Sequence, residues 1–516
     1  MKTMKKNIRK VLAVAISLIA TSVTAQQELS SAYFMEGAIF RHELNPAFDN
    51  QQSYFSFLPL GHLGVGVKGN FGLKDVLFYR NGKTVTYLHP EVGLSEALDG
   101  LHENNRMFFN HKTQIVGVGF EGLGGFNTIG INLRAYGGAR VPYDLFDLTK
   151  NLQNKSYNVS GVSAQVQSYV ELALGHSHQI DENWRVGAKM KLLFGAARVN
   201  AELESLTLDL QAANQWTATA HATLEANVTG LEVTTKHEQY KDEKRNTKVD
   251  PQTGEKYGYE SFDNINLKHP GLGGFGMAFD LGAEYDFADL CPGLKASLAL
   301  LDLGGIHWKE SHTIVNSGQD FQFTGFNKIS VEESDEQRAQ NGTKKFNDQA
   351  DDLVDRLKDL YNLENKGNLG GSGHGIGATL NIGVEYALPM YDKIRFGFLS
   401  TTRIHGDYSW NEERLSVNYA PCNFFDMNIN GAVGSFGGSF GWMLNLHPVG
   451  FNLFLGMDHH LGKLSKQGIP LSTNADFTFG ISFPLSKPKA KPEKPKYKSQ
   501  TNLPELNPQL LPEVTP

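Results

Sequence analysis

The chain has 516 residues, a formal net charge of −7, 40% hydrophobic residues, a mean hydropathy of −0.33, 54 glycines and two cysteines. That hydropathy argues against a helical membrane protein, the cysteine count against a disulfide scaffold, and the lack of a basic run outside the C-terminal tail against nucleic acid as a partner. A β-barrel stays open, because only every second residue of a membrane strand faces lipid.

The first residues read as a cleaved signal peptide, 1–25. Lys2, Lys5, Lys6, Arg9 and Lys10 precede the apolar run 11–20 (VLAVAISLIA), which is too short to span a bilayer, and small residues end at Ala25. Residues 26–50 follow neither strand nor helix periodicity, and alternation begins near residue 54, so 26–53 stands ahead of the barrel as a separate segment.

From there period-2 stripes recur. Phe275, Met277, Phe279 and Leu281 oppose Gly276, Asp280 and Gly282; Ile376, Leu380, Ile382 and Val384 oppose Gly377, Asn381 and Glu385; Phe477, Phe479, Ile481 and Phe483 oppose Thr478, Gly480 and Ser482. Such stripes run for about 9–13 residues, where a soluble strand runs for about 5–6 and a tilted membrane strand needs about 9–11. Short connections (180–183, 288–293, 389–393, 447–450) alternate with long polar ones (73–112, 140–163, 200–271, 309–373, 461–472). Tight periplasmic turns and long outer loops have this pattern. The spacing predicts a transmembrane antiparallel β-barrel over 54–485 of about fourteen strands: 62–72, 113–121, 127–139, 165–179, 184–199, 273–287, 294–307, 374–388, 393–408, 412–420, 424–433, 435–446, 449–460 and 473–485. Residues 200–230 read as a hairpin above the membrane, and 346–363 as an amphipathic helix in the largest outer loop.

Aromatic residues at stripe ends (Trp184, Tyr285, Phe287 and Tyr386 at one end; Trp308, Tyr408 and Trp410 at the other) read as headgroup girdles. Cys291 and Cys422 fall in turns two strands apart. At about 14 Å that separation exceeds the ~7 Å reach of a disulfide, so free thiols are expected. Residues 486–516 carry seven of the 19 prolines and six lysines, and read as a disordered periplasmic tail, either dispensable or a tether to the cell wall or a periplasmic partner.

SAYFMEGAIFRHELNPAF (31–48), GGFNTIGINLR (124–134) with PYDLFDL (142–148), and SFGGSFGWMLNLHPVGFNLFLGMDHH (435–460) resemble an uncharacterised conserved outer-membrane β-barrel family of the Bacteroidetes. That family is similar in architecture to the fourteen-stranded FadL- and PorV-type barrels. The resemblance implies that 26–53 is a plug inside the lumen and that the chain handles hydrophobic small molecules; it carries no ligand-site motif across.

Enzymatic signatures do not survive their context. Gly437-Gly438-Ser439-Phe440-Gly441 matches G-x-S-x-G but lies inside a strand rather than at a strand–turn–helix elbow. His176 with His178 and His459 with His460 lack a further ligand at metal spacing, and the glycine-rich 367–377 lacks a following helix. The expectation is no enzyme, no metal and no cofactor. The informative face is the inward one. Arg134, Glu171, Lys189, Asp280, Glu284, Glu385, Arg395 and Arg403, with Lys68, Arg185 and Lys191, share the parity opposite the lipid stripe. On the lipid side a basic residue would cost about 2–4 kcal/mol near the midplane. Inside, these charges form either a salt-bridge network holding the plug or, at Arg395 and Arg403, a site for a carboxylate or phosphate headgroup. Two functions follow: a FadL-like barrel that binds or passes small hydrophobic or amphipathic molecules, in contact with membrane lipid, or a non-transporting scaffold that anchors periplasmic or surface partners.

Overall fold

The computed structural model describes residues 29–486, apart from 51, 59–60, 82, 151–154, 213–214, 240–248, 250–257, 269–270, 317–320, 324–362 and 460–473. The signal-peptide, helix 346–363 and tail readings therefore lie outside the described residues, wholly or nearly so.

Fourteen antiparallel strands close into a barrel. They are β1 (Tyr54–Phe57 continued by Leu63–Gly69), β2 (Asn104–Gly122), β3 (Gly125–Pro142), β4 (Val162–Gln179), β5 (Trp184–Ala212), β6 (Gly274–Asp286) and β7 (Leu294–Trp308). The second half is β8 (Ser372–Gly375 continued by Ala378–Ala387), β9 (Ile394–Ile404), β10 (Trp410–Cys422), β11 (Phe425–Gly434), β12 (Gly437–Leu446), β13 (Asn452–Met457) and β14 (Ala475–Pro484). Each pairs with its sequence neighbour, and β14 returns to β1 (Leu63↔Phe479, Val67↔Ala475, Tyr54↔Pro484). Closure leaves no edge, so every ladder group has a neighbour to bond.

The strand alternation resolves into an inverted protein. Phe275, Met277, Phe279 and Leu281 are exposed, while Ala278 and Asp280 between them are fully buried. The same holds for Ile382 and Val384 against Asn381 and Glu385, for Phe396 and Phe398 against Leu399, and for Phe477 against Asp476 and Thr478. A girdle of exposed Phe, Leu, Ile and Val surrounds a buried polar interior, the reverse of a water-soluble sheet.

Several strands outrun their expected bounds. β2 begins at Asn104, inside the expected loop 73–112, because NNRMFFN lacks the alternation that marks a lipid-facing strand. β5 has 29 residues, about 95 Å at ~3.3 Å each, so its far half stands beyond any bilayer. There it pairs with strand Gln215–Asn227 (Thr217↔Asp209, Asn227↔Arg198), which continues to His312–Asn316 and Leu363–Asn368. Pro421 ends regular pairing in β10: the ladder shifts between Tyr419 and Cys422. Cys291 and Cys422 are free thiols.

Two expectations about facing fail for one reason, a local break in parity. Asp302 takes φ +58°, and the β6–β7 ladder shifts register beside it, between Phe279 and Leu281. Beyond that bulge the faces of β7 exchange, so Leu303 is exposed while Ile306 and Trp308 point inward, Trp308 completely buried. In β8, Gly377 at φ +78° interrupts the strand, and Ile376 turns inward to join Tyr169, Leu193, Ala278, Ile306 and Trp308. Tyr408 and Trp410 also face in: the Tyr408 hydroxyl bonds Ser163 (3.0 Å), and the Lys68 ammonium sits 3.9 Å over the Trp410 ring. The expected girdle at the long-loop end is thus an internal aromatic lining. At the short-turn end Trp184, half exposed, does stack outward on Tyr285, and Tyr285 on Phe287.

Residues 29–50 lie inside the barrel. They make two short 3-10 turns, Ser30–Ala32 and Ile39–Glu43, and Leu29, Tyr33, Phe34, Met35, Phe40 and Phe48 pack with Tyr54, Phe126, Leu399, Met443 and Phe454 of the wall. Glycines on the inner wall mark where this segment touches. A Cβ at Gly187 would stand 2.1 Å from the Pro46 carbonyl oxygen, at Gly282 2.0 Å from Asn45 Oδ1, and at Gly397 2.3 Å from the Phe34 ring. Gly187→Val should therefore loosen residues 29–50 while leaving the barrel closed, at the ~1–3 kcal/mol typical of overpacking. The expected result is earlier proteolysis within 29–50 and a lower unfolding midpoint; Gly431→Val, whose Cβ meets nothing nearer than 4.0 Å, should change neither.

Candidate functional site

The middle of the lumen is an ion-pair network. Lys191 of β5 donates to Asp280 of β6 (2.8 Å) and Asp302 of β7 (2.6 Å). Asp302 also takes Arg134 of β3 (3.3 Å) and Arg403 of β9 (3.5 Å), and Arg134 lies 3.6 Å from Glu171 of β4, which accepts from Asn132 at 2.9 Å. Three cations face three carboxylates drawn from six strands. A second group sits across the barrel, where Glu412 of β10 holds Lys68 (3.1 Å), Arg414 (2.5 Å) and His459 (2.8 Å), and His459 also bonds Asp476.

The inner segment plugs into these walls with its own charges. Glu43 accepts from Lys112 of β2 (2.9 Å) and from His62 (3.0 Å). Glu36 meets Arg395 of β9 (2.5 Å), which is shared with Glu385 (2.7 Å); Asp49 meets Arg185 (3.2 Å). The Asp458 carboxylate receives Ser30 N–H (2.7 Å), Ser31 N–H (2.8 Å) and the Ser31 hydroxyl (2.6 Å), an N-terminal clamp made by one wall residue. Lys189 donates to the His42 carbonyl (3.2 Å), and Asn381 to that of Leu44 (3.0 Å). Gly37 is needed because a Cβ there would fall 1.9 Å from Asp426 Oδ2.

Electrostatics in the segment follow from burial and from these partners. Burial opposes the charge on Glu43, yet Lys112 and His62 hold its carboxyl well below the ordinary 4.5. Glu36 is likewise buried, and Arg395 and Lys295 hold it far below 4.5. Burial, reinforced by Lys189, pushes His42 down to about 3, so its imidazole is neutral; its Nε2 shares a 2.7 Å hydrogen bond with the Tyr54 hydroxyl.

Two voids flank the segment. The one at the long-loop end holds about 910 Å³ of empty space including its mouth, and Phe108, Tyr136, Tyr408 and Trp410 line it together with Lys68 and Arg403. Ser30 and Leu44 form part of its wall. The chamber at the short-turn end holds about 1620 Å³ of empty space including its opening to solvent, and is lined by Glu36 and Gly37 of the segment, by Arg395, and by several Asn residues.

The residues singled out from sequence separate into three places. Arg134, Glu171, Asp280 and Arg403 meet in the central network; Glu385 and Arg395 meet at the short-turn end, with Glu284 reached through Lys295 (3.9 Å); Lys189 holds the inner segment. Sequence reasoning missed Asp302, whose bulge breaks parity, Lys112, which falls in the expected loop 73–112, and Glu412, Arg414, Asp458 and Asp476, which lie near the ends of their expected strands; Glu43 was hidden in a segment with no periodicity. Ser439 faces no base, and its hydroxyl has no partner. Among the described residues no three of His, Cys, Asp and Glu are placed to hold a metal ion; His460 lies outside them.

Two outcomes follow. Lys112→Met leaves the buried Glu43 charge with His62 as its partner and should cost about 3 kcal/mol, with Lys112→Met/Glu43→Gln recovering most of it in a denaturant double-mutant cycle. Acid should release the segment. His42 is depressed from 6.5 to about 3, so the unfolded form binds more protons between those values, and stability falls as pH drops through that window. Glu43 and Glu36, depressed below 4.5, add their loss below 4.5. Protease access to 29–50 should rise from about pH 6.5 downward, and His42→Gln should flatten the upper part of that profile.

Comparison with known proteins returns structural likeness at low identity. The Ralstonia pickettii toluene transporter TbuX aligns over 87% of this chain and 98% of its own at 8% identity and a TM-score of 0.36. The P. putida toluene transporter TodX gives 89%, 94%, 8% and 0.35, and a Pseudomonas aeruginosa FadL homologue 89%, 98%, 10% and 0.37. The likeness is one of strand arrangement, with no site residue carried across. No curated protein matches the chain. A family model described as a family of unknown function, DUF5723, matches residues 46–458, and the chain belongs to that family.

Proposed function

We propose that this is an outer-membrane barrel that binds or passes small hydrophobic or amphipathic molecules through its long-loop mouth. What supports a bilayer setting is the girdle of exposed Phe, Leu, Ile and Val around a buried polar interior, which water would penalise and hydrocarbon would not. On this reading residues 1–25 are a signal peptide removed on export, 26–53 are the plug, and the short turns face the periplasm, as does the tail.

The observation that carries the ligand class is the lining of the long-loop void. Aromatic rings (Phe108, Tyr136, Tyr408, Trp410) line the space alongside polar residues such as Asn110, Gln165 and Thr401, and cations stand against the rings: Lys68 over Trp410 at 3.9 Å, Arg403 beside Tyr136 at 6.0 Å. An apolar body can lie on the rings while a polar or anionic end meets a cation. The scaffold reading has its own support: the ion-pair network in the middle of the lumen, together with the pairs that hold residues 29–50, occupies the interior as it would in a barrel that passes nothing.

Calorimetry of the detergent-solubilised protein with decanoate tests the first reading, with decanol as the uncharged comparison. Saturable binding is expected, and Trp410→Ala should weaken it about tenfold, the equivalent of ~1.4 kcal/mol of lost ring contact. Absence of binding, or binding indifferent to Trp410→Ala and Phe108→Ala alike, would leave the scaffold. Decanoate entry into proteoliposomes separates passage from capture.

A further inference from the structure

The chamber at the short-turn end has a chemistry unlike that of the opposite mouth. It has more carboxamides and fewer aromatic rings, while its charged groups, like Lys68 and Arg403 at the mouth, already have partners: Arg395 lies between Glu36 (2.5 Å) and Glu385 (2.7 Å), His447 is 3.1 Å from Asp426, and Lys393 donates to the Pro421 carbonyl at 2.6 Å. Its apolar residues from the inner segment, Phe34, Met35 and Ile39, are themselves buried and offer little bare surface. What is unmet is neutral hydrogen-bonding capacity. Asn50 lines the chamber at 2% exposure, and among the described residues neither its Nδ2 nor its Oδ1 has a partner. Asn452, also 2% exposed, spends its Nδ2 on the Gly37 carbonyl (3.2 Å) and leaves Oδ1 unpaired. Gln52 and Asn423 add two further carboxamides to the same wall, beside Asn418, whose own carboxamide is taken up by Ser416 and Asn428.

Buried polar groups without partners are uncommon, and two in one wall beside about 1620 Å³ of space point to something that completes them. We propose that this chamber is a second binding site, separate from the long-loop void, for a neutral, hydroxyl-rich ligand of the saccharide class. A carboxamide presents a donor and an acceptor side by side, and so does each pair of neighbouring sugar hydroxyls. A charged ligand would have to compete with ion pairs that are already formed. An apolar ligand would seal the Asn50 amide away from any partner. A peptide could use the same carboxamides, and the trialanine arm of the test below separates the two classes. The ligand would enter from the side of the short turns, which the proposed topology puts in the periplasm; there both free sugars and the glycan strands of the cell wall share this chemistry.

The protein carries its own reporter. Cys422 lines the chamber and Cys291 does not, and both are free thiols. Alkylation of each by an uncharged maleimide is followed by mass spectrometry on the full detergent-solubilised chain, with maltose, with an N-acetylglucosamine–N-acetylmuramic acid disaccharide, and with trialanine. The expected result is at least fivefold protection of Cys422 by a saccharide, no change at Cys291, and loss of protection in Asn50→Leu. Protection by maltose and the wall disaccharide alike assigns free sugars; protection by the disaccharide alone assigns the glycan strand. The proposal is overturned if no saccharide protects Cys422, if Cys291 slows equally, if trialanine alone protects, or if Asn50→Leu and Asn50→Asp are both protected like the wild type. Decanoate binding at the opposite mouth reads the first site independently, so failure here leaves that reading standing, and the reverse.

Discussion

One constraint organises the molecule: a closed β-ladder whose outer face is apolar has to put everything polar inside. Closure satisfies the backbone, and the pleat sends every second side chain inward. The interior therefore fills with Lys, Arg, Asp, Glu and Asn, and each buried charge needs an opposite within reach. The observed solution is local neutrality. Lys191, Arg134 and Arg403 balance Asp280, Asp302 and Glu171 in one group; Lys68, Arg414 and a bridging histidine balance Glu412, Asp458 and Asp476 in another. Because all but one of these contacts (Arg414–Glu412, within β10, is the exception) tie different strands together, the network also braces the barrel against shear.

A barrel of this width is too broad for its own side chains to fill, and residues 29–50 supply the remainder. They bring a small apolar core of their own and hang it on the charged wall. The wall in turn is thinned to receive it: glycine stands at 187, 282 and 397, where the segment comes within van der Waals range of the backbone. The high glycine content is thus a consequence of the filled lumen as much as of the turns.

The barrel was legible because hydrocarbon imposes a long, strict alternation, and fourteen strands could be placed from that signal. Parity also pointed to the inward charges on β3–β6 and β8–β9. It failed where alternation itself fails. The bulge at Asp302 hid both a central carboxylate and the inward turn of Trp308; Gly377 did the same for Ile376. The early part of β2, where Lys112 sits, reads as loop because its stripe is mixed. Residues 29–50 have no lattice to obey, so no periodicity could announce that Glu43 and Glu36 find Lys112 and Arg395; only three-dimensional pairing makes those residues stand out.

The inner segment is not equally fixed along its length. Its second arm, residues 41–49, is tied by Glu43 to Lys112 and His62 and by Asp49 to Arg185, and it is wedged against Gly187 and Gly282. Withdrawing it would take the Glu43 carboxylate from Lys112 and His62 and the Asp49 carboxylate from Arg185. The first arm, residues 30–37, faces a wall of neutral carboxamides: Asn430 bonds Ser31 and Asn428, and Asn428 bonds Asn418. Water can replace a carboxamide's partner at little cost. Arg395 would keep Glu385 if Glu36 left, and Asp458 would keep Arg414 at 3.8 Å if Ser30 and Ser31 left. The arm 30–37 is thus the less costly to displace. That arm also has Ser30 in the lining of one void and Glu36 and Gly37 in that of the other, so the more weakly held arm borders both voids.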